Sequence, residues 1–215
     1  MRRLVLFFAL AVFVVGLPSK GVCFSFSEEA QKEASAKRAG AARNRALLAE
    51  PCKARIKGQK IALLIAEKHQ GLVRVNASNQ GDLFELLNER LRRVGLSTIT
   101  QQEINARVAR AEAEAVLNND PDAAMAAAQK LGAAFILKGL ISARSGANKM
   151  VRANDVAVTI SLTLSDSSGR VISQVRASGQ SWAGSDVIGA AMSVLEDEAD
   201  SLVARLYSDF CARGQ

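Results

Sequence analysis

Residues 155–165 place Val156, Val158, Ile160, Leu162 and Leu164 at alternate positions, with small polar residues between them. A period of two is the period of a strand, so one face of this segment is buried and the other solvated. Asp166-Ser167-Ser168-Gly169 reads as a turn, and residues 171–177 as the returning arm of an antiparallel hairpin. The apolar face of such a hairpin needs a cover. Ser185 can cap a long helix whose Ile188, Met192, Leu195, Ala199, Leu202, Val203, Leu206 and Phe210 keep helical spacing, and this helix is expected to pack across the sheet.

The first half of the chain has a different rhythm. Residues 60–66, KIALLIA, form a short continuous apolar run that suits a strand buried on both faces. A polar loop follows. Leu83, Leu86, Leu87, Leu91 and Val94 then share one face of a helix over 82–94, stopped by Gly95. A second short strand is expected over 96–101 and a single helix over 103–117. A further helix begins with Asp120 as cap and Pro121 in its first turn, and ends before Gly132. Residues 134–144 read as a strand. The expectation is therefore an α/β (α+β) fold: a mixed sheet with a βαβ N-terminal half, an antiparallel C-terminal hairpin and a long packing helix.

At 215 residues and 49% hydrophobic content the chain is long and apolar enough for one ordinary core. The sequence divides into a leader over 1–27, a polar helical arm over 28–57 and a single domain over 58–213. Arg2 and Arg3 precede an uncharged apolar run over 4–17, then Pro18 and small residues, which is the layout of a secretory signal peptide. The run falls short of the ~20 residues that span a bilayer. Cleavage after Gly21 or after Ser27 satisfies the small-residue rule, and Cys23 offers a lipoprotein-type alternative. Loss of Arg2, Arg3 and Lys20 lowers the formal charge from +7 to +4, with 25 bases against 21 acids in the remainder. Bases mixed with acids, and only 5% aromatic residues, exclude nucleic-acid binding. The arm is either a segment that docks on a partner or a solvated leading helix.

In an exported chain the cysteines invite pairing. Cys52 precedes the first strand and Cys211 lies near the end of the last helix, so either the two bridge the domain's ends or they remain buried thiols. Catalytic signals are missing. His69 is the sole histidine and has no histidine partner for a metal; no nucleophile elbow, P-loop or dinucleotide fingerprint occurs. Asp155 and Asp166 bracket a strand that holds them about 35 Å apart, too far for a carboxylate pair. The expectation is a protein that is not an enzyme and uses no cofactor or metal.

The segment 131–141, LGAAFILKGLI, together with KIALLIA, the LSTIT of residues 96–100 and the LSDSSGRVIS of residues 164–173, resembles a group of bacterial envelope assembly domains. The group includes flagellar assembly protein T, the curli secretion lipoprotein, the penicillin-binding protein activator lipoprotein and the N-terminal domain of the Tol propeller protein. The resemblance covers about residues 58–210, and Ala134 stands where the group more often has Asp. It implies a mixed α/β domain that binds other envelope proteins, and it carries over no cofactor and no catalytic residue.

Two functions compete on this basis. One is a periplasmic or outer-membrane-associated assembly or scaffold protein, in a flagellar or outer-membrane complex, with self-association possible and membrane attachment only through its partner or a lipidated Cys23. The other is a periplasmic binding protein for a small glycan or lipid fragment, with its site near residues 67–79 at the carboxyl ends of the parallel strands. Long polar loops beside a rigid sheet often carry binding. The candidate contacts are accordingly His69 and Arg74 in the 67–81 loop, and Arg144, Lys149 and Arg152 in or beside the basic 145–154 loop.

Overall fold

A computed structural model describes residues 26–49, 52–69, 72–74, 81–148, 153–181 and 187–213. Contacts divide the chain into residues 1–36 and 37–215. The first unit contributes the leading turns of helix α1 (Phe26–Leu48), exposed at every described position from Glu28 through Ala36. Its polar composition explains why: a helix without an apolar stripe has nothing to bury. The expected leader, with both cleavage sites apart from Ser27 itself, and Cys23 lie outside the described residues.

The second unit holds α2 (Lys53–Ile56), β1 (Lys60–His69), β2 (Leu72–Arg74), α3 (Gly81–Arg93), β3 (Ser97–Thr98), α4 (Gln101–Arg107), α5 (Arg110–Leu117), α6 (Pro121–Leu131), β4 (Phe135–Asn148), β5 (Ala153–Asp166), β6 (Val171–Ser181) and α7 (Val187–Arg213). The six strands form one sheet in the order β2-β1-β4-β5-β6, with β3 on the same side of β1 as β2. β1 runs parallel to β3 and β4, and β5 pairs antiparallel with β4 on one side and with β6 on the other. This is the mixed architecture that the two rhythms of the sequence call for.

One face of the sheet carries Ile61, Leu63 and Ile65 of β1, Leu137 and Ile141 of β4, and the whole alternating set from Val156 to Leu164 of β5. α7 and α3 cover it. Phe210 of α7 meets Phe135 edge-to-face with centroids 5.2 Å apart, and Arg90 of α3 pairs with Asp200 of α7 at 2.7 Å. The opposite face carries Ala62, Leu64, Ala66, Ile136 and Lys138, covered by α5 and α6. Burying side chains of this size is the main stabilising term, about 1.5–3 kcal/mol for each large aliphatic.

Four segments differ from the sequence expectation. The helix expected over 103–117 is two, because Val108 turns extended (φ −114°, ψ 119°) and is itself buried. Ile104 and Val108 lie one turn apart, but the next buried residue, Ala113, is five further on, out of phase with a period of about 3.6. A straight helix would turn one group away from the core; the break lets both face it. Thr100 and Glu103 close a capping box that starts α4 on Gln101. The strand expected over 60–66 continues to His69 and folds back on β2, pairing Glu67 with Arg74 and His69 with Leu72. His69 and Arg74 therefore stand in strands, not in a loop. The loop expected over 145–154 is also mostly strand: the β4–β5 ladder runs on to Asn148 opposite Ala153. In both places backbone pairing carries the strand past the end of its apolar pattern.

Other local expectations hold. Asp120 accepts from the amides of Asp122 and Ala123 at 3.0 and 3.1 Å and caps α6, and Gly132 ends it at φ 62°. Cys52 and Cys211 form a disulfide. α7 begins at Val187 as described, and Ser185 lies outside the described residues.

Candidate partner-binding face

Among the described residues α5 and α6 sit over β1 and β4, with α4 packed on α6, and leave the same face of β5 and β6 uncovered. The register defines what this open face presents. Lys138, Thr163 and Gln174 form one row across β4, β5 and β6; Leu140, Ser161 and Arg176 the next; then Ser142, Thr159 and Ser178; then Arg144, Ala157 and Gln180. Lys68 of β1 extends the third row beside Ser142. Lys138 is buried beneath the helices, its ammonium donating to the Asn119 side chain at 2.7 Å. Beyond it the β5 residues are half-buried among their neighbours, and Gln174, Arg176, Ser178, Gln180, Arg144 and Lys68 are exposed.

The chemistry of this surface follows from alternation. Small hydroxyls and carboxamides occupy the positions between the apolar residues of β5 and β6, and three cations, Lys68, Arg144 and Arg176, stand among them. None of these four rows contains an Asp or Glu, and an acid enters only in the next, where Asp155 pairs with Gly146. Arg176 lies flat across β5, its Nε donating to the Ser161 hydroxyl at 3.2 Å. None of the three cations takes part in an ion pair among the described residues. A surface of this kind offers many hydrogen-bond donors and acceptors and a local excess of positive charge, which suits a carboxylate-bearing protein surface.

β6 ends the sheet, and its outer edge is partly blunted. Arg205 of α7 donates from Nη2 to the backbone carbonyl of Arg176 at 3.1 Å. A side chain that occupies a strand edge competes with an added strand. The face, more than the edge, is the accessible feature of β6.

Of the residues singled out from the sequence, Arg144 lies exposed on this face. His69 follows Lys68 at the end of β1, and Arg74 pairs with Glu67 on β2, so both belong to the same end of the sheet as Arg144. Lys149 and Arg152 lie outside the described residues, as does most of the 67–79 segment suggested for a small ligand. The sequence reading missed Lys68, Arg176 and the polar residues of β6. Their signal was present in the alternation of VISQVRASGQS, whose Gln174, Arg176, Ser178 and Gln180 contain no acid. Among the described residues no group of three His, Cys, Asp or Glu is placed to hold a metal ion, and no helix is long and apolar enough to cross a membrane.

No family model matches the sequence, and no curated protein matches it. Solved structures similar to it include the hypothetical protein CT253 from Chlamydia trachomatis, at 18% identity and a TM-score of 0.47, covering 73% of this chain and 99% of that one. The lipoprotein GNA1162 from Neisseria meningitidis is similar at 12% identity and a TM-score of 0.42, covering 67% of this chain and 99% of that one. The LpoB C-terminal domain from Salmonella enterica is similar at 14% identity and a TM-score of 0.37, covering 61% of this chain and 95% of that one. Likenesses this remote say nothing of what this chain binds.

Proposed function

We propose that the protein is a non-enzymatic assembly or scaffold module of the bacterial cell envelope that binds the acidic surface of another envelope protein through the open face of β4, β5 and β6. The observation that carries this reading is the set of four rows without an acid in which Lys68, Arg144 and Arg176 stand over Ser, Thr and Gln. An exported location is supported by the Cys52–Cys211 disulfide, since such bonds persist in oxidising compartments, and by the basic-then-apolar leader pattern of residues 2–17. A flat polar sheet face of this kind binds by complementary hydrogen bonds and charge, and needs no cofactor.

The test is site-specific photocrosslinking in the native host, with the probe at Ser178 or Gln174 on the open face, or at exposed Gln102 on α4 as the control. The envelope is then fractionated and crosslinked species are identified by mass spectrometry. One larger envelope protein captured from Ser178 and Gln174 but not from Gln102 supports the reading, and its identity names the machine, flagellar or outer-membrane. Capture from Gln102 alone, or the protein recovered uncrosslinked in the soluble periplasm from all three positions, overturns it.

A further inference from the structure

A second site lies at the other edge of the sheet, beside β3 and far from β6 in strand order. α3, β3 and the residues around them enclose a cleft of about 350 Å³, lined by Glu85, Asn88, Arg92, Ser97, Thr98 and Thr100 among others. Volumes of this order sit at the small end of ligand pockets. Three features define what would fit it.

The first is a free strand edge. Ser97 donates its amide to the Gln59 carbonyl at 2.9 Å, and Ile99 donates to that of Ile61 at 3.0 Å, so both point toward β1. Backbone groups alternate in direction along a strand, so the amide and carbonyl of Thr98 between them point away from β1, toward an edge that no other strand among the described residues occupies. The second is Asn88, which lines the cleft yet is only 3% exposed, and whose Oδ1 is buried without a hydrogen-bond partner. An unmet acceptor at that depth is a cost that an incoming N–H would remove. The third is charge. Arg92 and Glu85 pair with each other at 3.6 Å, so the wall is neutral overall and selects neither an anion nor a cation. The lining contains no aromatic ring to stack a sugar or a base.

We infer that this cleft binds a short, extended, uncharged stretch of peptide, which pairs with the free edge of Thr98 and donates an amide to Asn88. Paired backbone groups provide affinity in this mode, as they do wherever a peptide adds to a sheet edge. The site is independent of the acidic-partner face, and either can fail without the other.

The probe is trialanine with an acetylated N-terminus and an amidated C-terminus, titrated into isotope-labelled protein and followed by amide chemical shifts. The expected result is saturable shifts at the Thr98 backbone amide and the Asn88 side-chain amide, with a dissociation constant of about 1 mM. The all-ester analogue, which keeps the carbonyls and lacks every backbone N–H between them, is expected to bind roughly tenfold more weakly, as is trialanine to Asn88→Leu. Thr98→Pro removes the outward N–H at an edge position where proline is tolerated, and so remains informative if Asn88→Leu does not fold. Absence of saturable shifts at Thr98 and Asn88, equal binding of the ester, or wild-type binding by a folded Thr98→Pro variant would overturn the inference.

Discussion

Cys52 and Cys211 stand 159 positions apart in the chain and are joined through sulfur with their Cα atoms 5.6 Å apart. Arg55, three residues after Cys52, donates from Nη2 to the Cys211 carbonyl at 2.9 Å and lies over the Phe210 ring at 5.6 Å. A guanidinium at the last turn of α7 meets unpaired carbonyls and the negative end of the helix dipole. Two elements from opposite ends of the domain are thus clasped by a covalent bond, a hydrogen bond and a cation–π contact.

Removing that clasp is expected to be costly. A closed loop of this length is worth roughly 5 kcal/mol in the chain-entropy model, and native bridges in practice give about 2–5 kcal/mol. The double variant Cys52→Ser, Cys211→Ser should show a urea midpoint well below that of the oxidised wild type and equal to that of the reduced wild type. Equal midpoints for the oxidised wild type and the double variant would show that the bridge contributes nothing.

Gly179 of β6 faces α7 so closely that a Cβ there would lie 2.5 Å from Cγ2 of Val194. Val194 is β-branched and has little rotamer freedom in a helix. Gly179→Ala should therefore destabilise by about 1–3 kcal/mol, the usual cost of overpacking. Val194→Ala should relieve the clash in the double variant, giving a non-additive cycle measurable by chemical denaturation. Additive losses would mean that the strand and helix separate without contact at this point.

What was readable in the sequence followed burial. Val156, Val158, Ile160, Leu162 and Leu164 announced β5 because one face of it is packed, and Asp120, Pro121 and Gly132 announced both ends of α6 because each meets a backbone requirement there. Glu67, Lys68 and His69 did not announce strand, since their place in β1 rests on backbone pairing with β2 and β4. The break at Val108 was hidden because helix formers stand on both sides, Gln101, Gln102 and Glu103 before it and alternating Ala and Glu after it, and only the phase slip between Val108 and Ala113 betrays it. The open face was half legible. The polarity of Thr159, Ser161 and Thr163 was plain, but that α5 and α6 gather over β1 and β4 and not over β5 depends on tertiary packing.

Lys138 gives the protein a pH signature. Its ammonium is buried under α5 and α6 with the Asn119 side-chain Oδ1 as acceptor, and desolvation holds its pKa below the ordinary 10.5. In the window between the lowered folded value and 10.5 the unfolded chain keeps a proton that the folded protein has released, so stability rises with pH there. Below the folded value both states are protonated and this contribution is flat. The difference in denaturant midpoint between wild type and Lys138→Met should therefore shift in favour of wild type as pH climbs toward 10.5. A difference independent of pH across that range would show that burial leaves the group's titration unchanged.

Charge on the open face should govern partner binding with little effect on stability. Arg144 and Arg176 are exposed, and substitutions at such positions typically change stability by no more than about 0.5 kcal/mol. The pair Arg144→Glu, Arg176→Glu places two acids in rows that hold none and so repels an acidic partner, and like charges brought together at an interface cost several kcal/mol. Crosslinking from Ser178 in the native host is accordingly expected to fall by roughly tenfold or more, while Arg107→Glu, an exposed change on α4, leaves the yield unchanged. In purified form the wild-type complex should weaken as salt is raised, because exposed charges are screened over about 8–10 Å near physiological ionic strength. A captured partner whose yield ignores both the double reversal and the salt would bind this face through its hydroxyls and carboxamides, and the three cations would have no part in recognition.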